Sequence, residues 1–144
     1  MLCVTAMTRA EGAEHRVRRA NLPAAVARTV DRESAAATVR GLSKETDNGE
    51  TYYEAELGVN GHSKDVLIDS EGLVVEVEEE VAFDSLPDAV QRGLLAHAGG
   101  GKIVSVESLT RNGKLLAYEA HLRTGLRTSE VQVGVDGRPL DSAE

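Results

Sequence analysis

A five-residue word that recurs almost unchanged is the feature that most constrains the fold of this chain. Residues 53–57 read YEAEL and residues 118–122 read YEAHL. In both words Tyr, Ala and Leu alternate with charged or polar residues, which is the period-two pattern of a β-strand with one buried face. The recurrence therefore indicates one structural element that is used twice, rather than a catalytic motif.

Other short stretches recur in the same order around these words. The matched pairs are LPAAV (22–26) with LPDAV (86–90), NG (48–49) with NG (112–113), KDVLI (64–68) with SEVQV (129–133), and EG (71–72) with DG (136–137). Five shared elements in one order predict two repeats. We expect repeat 1 at residues 21–84 and repeat 2 at residues 85–144, preceded by a segment at 1–20.

Each predicted repeat opens with a helix. Asn21 and Ser85 are the candidate N-caps, because their side-chain oxygens can accept from free N–H groups of the first turn. A proline follows two residues later in both cases, where a missing N–H costs little. Apolar residues then recur at i, i+4 and i+8, which places them on one helical face; these are Leu22, Val26 and Val30 in repeat 1, and Leu86, Val90 and Leu94 in repeat 2.

Strands separated by Asn-Gly and other Gly-containing turns follow each helix. The first strands are predicted at Thr38–Glu45 and Ile103–Arg111, the second at the two recurrent words, and the third around residues 64–68 and 129–135. The fourth is long in repeat 1, from Leu73 onward, and short near Leu140. The predicted fold class is α+β, with two tandem repeats that each pack a helix on an antiparallel four-stranded meander. Two arrangements remain open: a core shared by both repeats, or sheets joined edge to edge in one continuous sheet.

Charge argues against a nucleic-acid partner. The net charge is −8, and residues 41–85 hold two Lys and thirteen acids, a local charge of −11. Such a surface repels a phosphate backbone and attracts a basic protein. No apolar run approaches the roughly 20 residues of a membrane span. The sequence leaves the oligomeric state open.

The start MLCVTAM has two interpretations. It is either the remnant of a secretory signal peptide or an ordinary disordered tail, since it lacks the positive region of a complete signal. The lone Cys3 cannot form an internal disulfide.

Three motifs together resemble the PepSY-like domains. They are L-P-x-A-V opening a helix, Y-Y-E-A-E-L at 52–57, and D-V-L-I-D-S-E-G-L-V-V-E-V-E-E-E at 65–80. A tandem pair of such domains is similar to the β-lactamase-inhibitor-protein fold, in which a sheet is the binding surface. The resemblance implies export to the periplasm or beyond. Some PepSY-type domains sit in propeptides that restrain metalloproteases, but the resemblance implies no propeptide role in cis here.

The residues do not indicate catalysis or a cofactor. The four histidines, His15, His62, His97 and His121, lack metal-ligand spacing, and we expect them to be solvated. Gly99-Gly100-Gly101-Lys102 lacks the Ser or Thr of a phosphate loop, and a helix end is expected there. No nucleophile–base pair is evident. We therefore predict no enzyme activity, no catalytic residue, no cofactor and no metal ligand.

The leading hypothesis is a non-enzymatic exported binding module that regulates or inhibits a peptidase or another envelope protein. Its predicted partner-binding face is polar and comprises Tyr52, Glu54, Glu56, Asp65, Glu76, Glu78, Glu119, His121, Arg123 and Glu130. The alternative is a Ca²⁺-responsive envelope protein that uses the acidic segment 65–80, because carboxylates are the ligands of hard cations.

Overall fold

A computed structural model describes residues 14–140 of the chain. The predicted segment 1–20, with Cys3, lies largely outside the described residues. The helices are α1 (Ala24–Glu33) and α2 (Asp88–His97), each preceded by a 3₁₀ turn, Arg19–Asn21 and Phe83–Ser85. The strands are β1 (His15–Arg16), β2 (Thr38–Asp47), β3 (Glu50–Val59), β4 (His62–Asp69), β5 (Val74–Val81), β6 (Lys102–Arg111), β7 (Lys114–Thr124) and β8 (Arg127–Gly134).

The eight strands form one sheet in the order β1-β2-β3-β4-β5-β6-β7-β8. The predicted fold of two repeats, each a helix on its own four-stranded meander, is therefore wrong. One reason is β1, a short strand that pairs with β2 before the first helix and that no sequence pattern indicated. The other lies at the end of the described residues, where an isolated bridge between Val133 and Pro139 stands in place of the predicted fourth strand. The neighbouring residues make the backbone bonds of this bridge: Gly134 donates to Arg138, and Leu140 donates to Gln132.

Both helices begin later than the sequence predicts. Asn21 and Ser85 end the 3₁₀ turns, and neither caps a helix; the Ser85 hydroxyl instead donates to the carbonyl of Ala82. Pro23 and Pro87 occupy the N-cap positions with extended backbone, at ψ of 145° and 143°. The proline ring clashes with the preceding residue when that residue is helical. The residue before each proline therefore stays extended, and the helix begins only after the proline.

The described residues divide into two compact units, each with its own core. The N-terminal unit comprises residues 14–78 with Arg111–Gly113. Its core is formed by Leu22, Val26, Val30, Tyr53, Ala55, Leu57, Val66 and Ile68. The predicted burial of the apolar residues of α1 and β3 is confirmed. Thr29 of α1 is also buried and donates to the carbonyl of Gly72 at 2.5 Å, which ties the turn after β4 to the helix.

The C-terminal unit comprises residues 79–110 and 114–140. Its core is formed by Leu86, Val90, Leu94, Val106, Tyr118, Ala120, Leu122 and Val133. Helix α2 approaches the turn after β8 so closely at Gly93 that a Cβ there would collide with the carbonyl oxygen of Gly137. The helix ends at His97, before Gly99 and Gly100, as predicted.

No helix within residues 14–140 is long and apolar enough to cross a bilayer.

Candidate functional site

A histidine surrounded by carboxylates is the most distinctive polar feature of the C-terminal unit. His121 lies on β7, with Glu107 on β6 and Glu130 on β8 to its two sides. Its Nε2 lies 3.2 Å from Oε2 of Glu107 and 4.0 Å from Oε1 of Glu119, and its Nδ1 lies 3.4 Å from Oε1 of Glu130. Three acidic side chains thus face one imidazole ring, which is about one-third exposed (34%).

Strand alternation and register place these groups together. Tyr118, Ala120 and Leu122 of β7 are buried, so Glu119 and His121 lie on the opposite face. The β7–β8 hairpin pairs Thr124 with Arg127, and this register sets His121 directly opposite Glu130. Cross-strand neighbours on one face are close enough for side chains to interact. The sheet backbone therefore holds the cluster in place without any long loop.

The carboxylates alter the acid–base behaviour of His121. Burial is the largest single influence and acts to lower its pKa, because it disfavours the charged imidazolium. The hydrogen bond to Glu107 and the negative charges of Glu107, Glu119 and Glu130 act in the opposite direction and together outweigh burial. The pKa of His121 is therefore raised above its usual 6.5. The cluster favours a positive charge at the ring.

A cavity of about 420 Å³ opens beside the ring. It is lined by Val104, His121, Leu122, Arg123, Thr128, Ser129 and Glu130. Its walls carry both charged and hydroxyl groups, and Val104 is an exposed apolar residue. Arg123 and Glu130 of the predicted binding face thus line a concave surface that solvent can enter.

The predicted face residues of the N-terminal unit are less open than expected. Glu54 is only 7% exposed, so its expected place on a solvated face is wrong. Glu56 is half-buried and accepts from Nη1 of Arg16 at 3.2 Å. It also lies opposite Asp65 in the β3–β4 register, so two acids oppose each other across neighbouring strands. Strand β1, which the sequence did not predict, supplies the Arg16 side chain that contacts Glu56.

A groove of about 220 Å³ in the same unit gathers other predicted residues. It is lined by Glu45, Asp47, Tyr52, Leu67, Val75, Glu76, Arg111 and Asn112. Glu76 is engaged by Arg111, and the hydroxyl of Tyr52 donates to Glu50 at 2.7 Å. Glu78 lies on β5 and is half-buried. Tyr52 and Glu76 therefore share one groove, whereas Glu54 lies buried on β3.

The acidic segment 65–80 does not gather its carboxylates around one point. Asp69 Oδ1 instead accepts from the backbone N–H groups of Glu71 and Leu73, at 3.0 and 2.9 Å, and so stabilises the turn. Between residues 14 and 140, two groups bring three possible metal-ligating atoms within 4.8 Å of one another: Glu107 with Glu119 and His121, and Glu14 with Glu54 and Glu56. The predicted Ca²⁺ segment contributes to neither.

The sequence did not identify Glu107, Glu14 or Arg111 as residues of a candidate site. Glu107 lies within the predicted strand Ile103–Arg111, but the pattern alone does not reveal which residue of the next strand it faces. Register between strands joined by a short turn is the only sequence signal that could have found it. His121, which we expected to be solvated, is about one-third exposed and lies against three carboxylates.

No protein-family model matches the chain, and no curated protein sequence matches it. Solved structures do resemble it. A protein described as periplasmic from Bacteroides eggerthii superposes with a TM-score of 0.68 at 17% identity, covering 83% of this chain and 86% of the other. A DUF2874 family protein from Bacteroides uniformis gives 0.65 at 19% identity, with 83% and 86% covered.

A BLIP-like protein from Bacteroides fragilis gives a TM-score of 0.61 at 18% identity, covering 83% of this chain and 84% of the other. BLIP denotes a β-lactamase-inhibitor protein. At such identities the likeness shows the fold alone. The expectation of a fold like that of the β-lactamase-inhibitor protein is therefore confirmed, while the PepSY resemblance stays a prediction.

Proposed function

We propose that this chain is an exported, non-enzymatic binding module that contacts a basic protein surface through the polar face of its sheet. Export is supported by the structurally similar protein from Bacteroides eggerthii, which is described as periplasmic. The BLIP-like fold supports a role in regulating an enzyme, with an envelope peptidase as the class that the PepSY resemblance suggests.

One observation supports the polar face of the sheet as the partner-binding surface. Glu56 and Asp65 lie directly opposite each other on β3 and β4. Two carboxylates on adjacent strands concentrate negative charge at one place on this face, which favours contact with a basic surface. The local charge of −11 over residues 41–85 adds long-range attraction to a basic partner.

The test compares two variants with the same change of charge. One is the double variant Glu56→Gln with Asp65→Asn. The control is Asp84→Asn with Asp88→Asn, at exposed positions outside the proposed face. The native chain and both variants are immobilised and exposed to an envelope extract, and the captured proteins are identified after washing at low and at high salt.

We expect the native chain and the control to retain one basic protein that high salt releases, since salt screens exposed charges. The face variant is expected to lose it. Equal capture by both variants, or capture of acidic proteins alone, would overturn the proposed face. Turnover of peptide substrates by the purified chain would overturn the non-enzymatic role.

A further inference from the structure

We propose that Glu107, Glu119 and His121 form a binding site for a first-row transition-metal dication such as Zn²⁺. The three side chains offer two carboxylate oxygens and one imidazole nitrogen, all within 4.8 Å of one another. This donor set goes beyond the proposed protein-binding function and does not depend on a partner.

The distances match the size of such an ion. Zinc binds imidazole nitrogen and carboxylate oxygen at about 2.0–2.2 Å, which places neighbouring ligand atoms about 3–3.5 Å apart. Nε2 of His121 lies 3.2 Å from Glu107 and 4.0 Å from Glu119. The two carboxylate oxygens lie within 4.8 Å of each other, so movements of about 1 Å bring all three atoms to one ion.

Glu130 gives the ring the orientation that metal binding requires. Its carboxylate faces Nδ1, on the opposite side of the ring from Glu107 and Glu119. When an ion lies on the Nε2 side, a carboxylate beside Nδ1 favours the proton on Nδ1, and the Nε2 lone pair is then available to the ion. Three acceptor atoms then converge on one point, and only a proton or a metal cation makes that arrangement favourable.

The nitrogen ligand distinguishes the class of ion. Ca²⁺ takes six to eight oxygen ligands, whereas imidazole together with carboxylate suits zinc and its neighbours. Glu107, Glu119 and His121 are each only partly buried, which leaves room for water to complete the coordination. The second group of acids, Glu14 with Glu54 and Glu56, offers no nitrogen ligand, and Glu56 already accepts from Arg16. This second group therefore serves as an internal control.

The experiment titrates Co²⁺ and Zn²⁺ into the full-length chain after treatment with a chelator. The chain carries Cys3→Ser and no affinity tag, so that other strong ligands do not interfere. Calorimetry measures Zn²⁺ affinity and stoichiometry, and the visible absorption of Co²⁺ reports whether nitrogen and oxygen ligands surround it.

We expect one ion per chain. His121→Gln and Glu107→Gln should each abolish the Co²⁺ spectrum, and Glu130→Gln should weaken Zn²⁺ binding by about 10- to 100-fold, as loss of the outer partner of a ligating histidine does. His62→Gln and Glu56→Gln should bind as the native chain does. Circular dichroism identifies any variant that fails to fold, and Glu119→Gln then replaces it.

Absence of Zn²⁺ uptake by the native chain would overturn the inference, as would unchanged affinity in folded His121→Gln. A Ca²⁺ affinity equal to that for Zn²⁺ would do the same. If a protein partner binds equally well with and without chelator, protein binding does not require the metal, and the two sites are distinct.

Discussion

Arg111 donates two hydrogen bonds, from Nε at 3.0 Å and from Nη2 at 2.8 Å, to the same carboxylate oxygen of Glu76. Both side chains are mostly buried, with exposed fractions of 29% and 16%. In the N-terminal unit this pair holds Glu76 within the groove that also contains Tyr52. Glu76 therefore contributes to the local structure as well as to the predicted face.

Replacing Arg111 should destabilise the N-terminal unit. In Arg111→Gln the Glu76 carboxylate loses its charged donor while it remains largely buried, and we expect a loss of about 1–2 kcal/mol in the free energy of unfolding. Urea unfolding measures the effect. Arg123→Gln, at an exposed position, is the control and should change stability by less than about 0.5 kcal/mol. Equal effects of the two substitutions would contradict the assigned role of the pair.

Thr29 should be replaceable by Ser but not by Val. Its hydroxyl donates to the Gly72 carbonyl at 2.5 Å in a buried position. Thr29→Val keeps the shape but leaves that carbonyl without its donor, which costs about 1–3 kcal/mol. Thr29→Ser retains the hydroxyl and should lose less. Thermal unfolding of the three chains compares them, and a Val variant as stable as the Ser variant would show that the hydrogen bond contributes little.

Gly93→Ala should destabilise the C-terminal unit, although alanine is the better helix former by about 1 kcal/mol. The added methyl group would meet the backbone of Gly137, which cannot move aside as a flexible side chain can. We expect a loss of about 1–3 kcal/mol. Ala96→Gly, at an exposed site of the same helix, measures helix propensity alone. A stabilising Gly93→Ala would show that α2 and the turn lie further apart.

Stability of the C-terminal unit should fall as the pH rises through neutrality. The pKa of His121 is raised in the folded chain. A group with a raised folded pKa stabilises fully below its unfolded pKa and loses that contribution as the pH rises through the folded pKa. Urea unfolding of the metal-free chain between about pH 6 and pH 8 measures the slope. His121→Gln should flatten it, and Glu107→Gln should lower the pKa that NMR reports for the ring.

Local patterns predicted the strands and the cores well. Period-two alternation identified the buried Tyr53 and Tyr118, because each strand has one apolar face. Asn48, Asn60 and Asn112 adopt positive φ, as the Asn-Gly turns required. These features depend on a few neighbouring residues, so the sequence carries them directly.

Features that depend on distant partners could not be predicted in this way. The two-residue strand β1 has no pattern of its own and exists through pairing with Ser43 and Lys44. Glu54 is buried although its position in the alternation predicts exposure. The cluster at His121 requires the register of three strands, and no single stretch of sequence contains that register.

The order of the sheet has a consequence for how the chain folds. Each strand pairs with the strand that precedes or follows it in the sequence, from β1 to β8. Five of these pairings close turns of a few residues, whereas β1–β2 and β5–β6 each enclose a helix. The entropy lost on closure rises with loop length. Proteins rich in such local contacts fold faster than sheet proteins whose strands pair out of order. We therefore expect this sheet to assemble progressively from neighbouring hairpins, with each completed pair presenting an edge for the next strand.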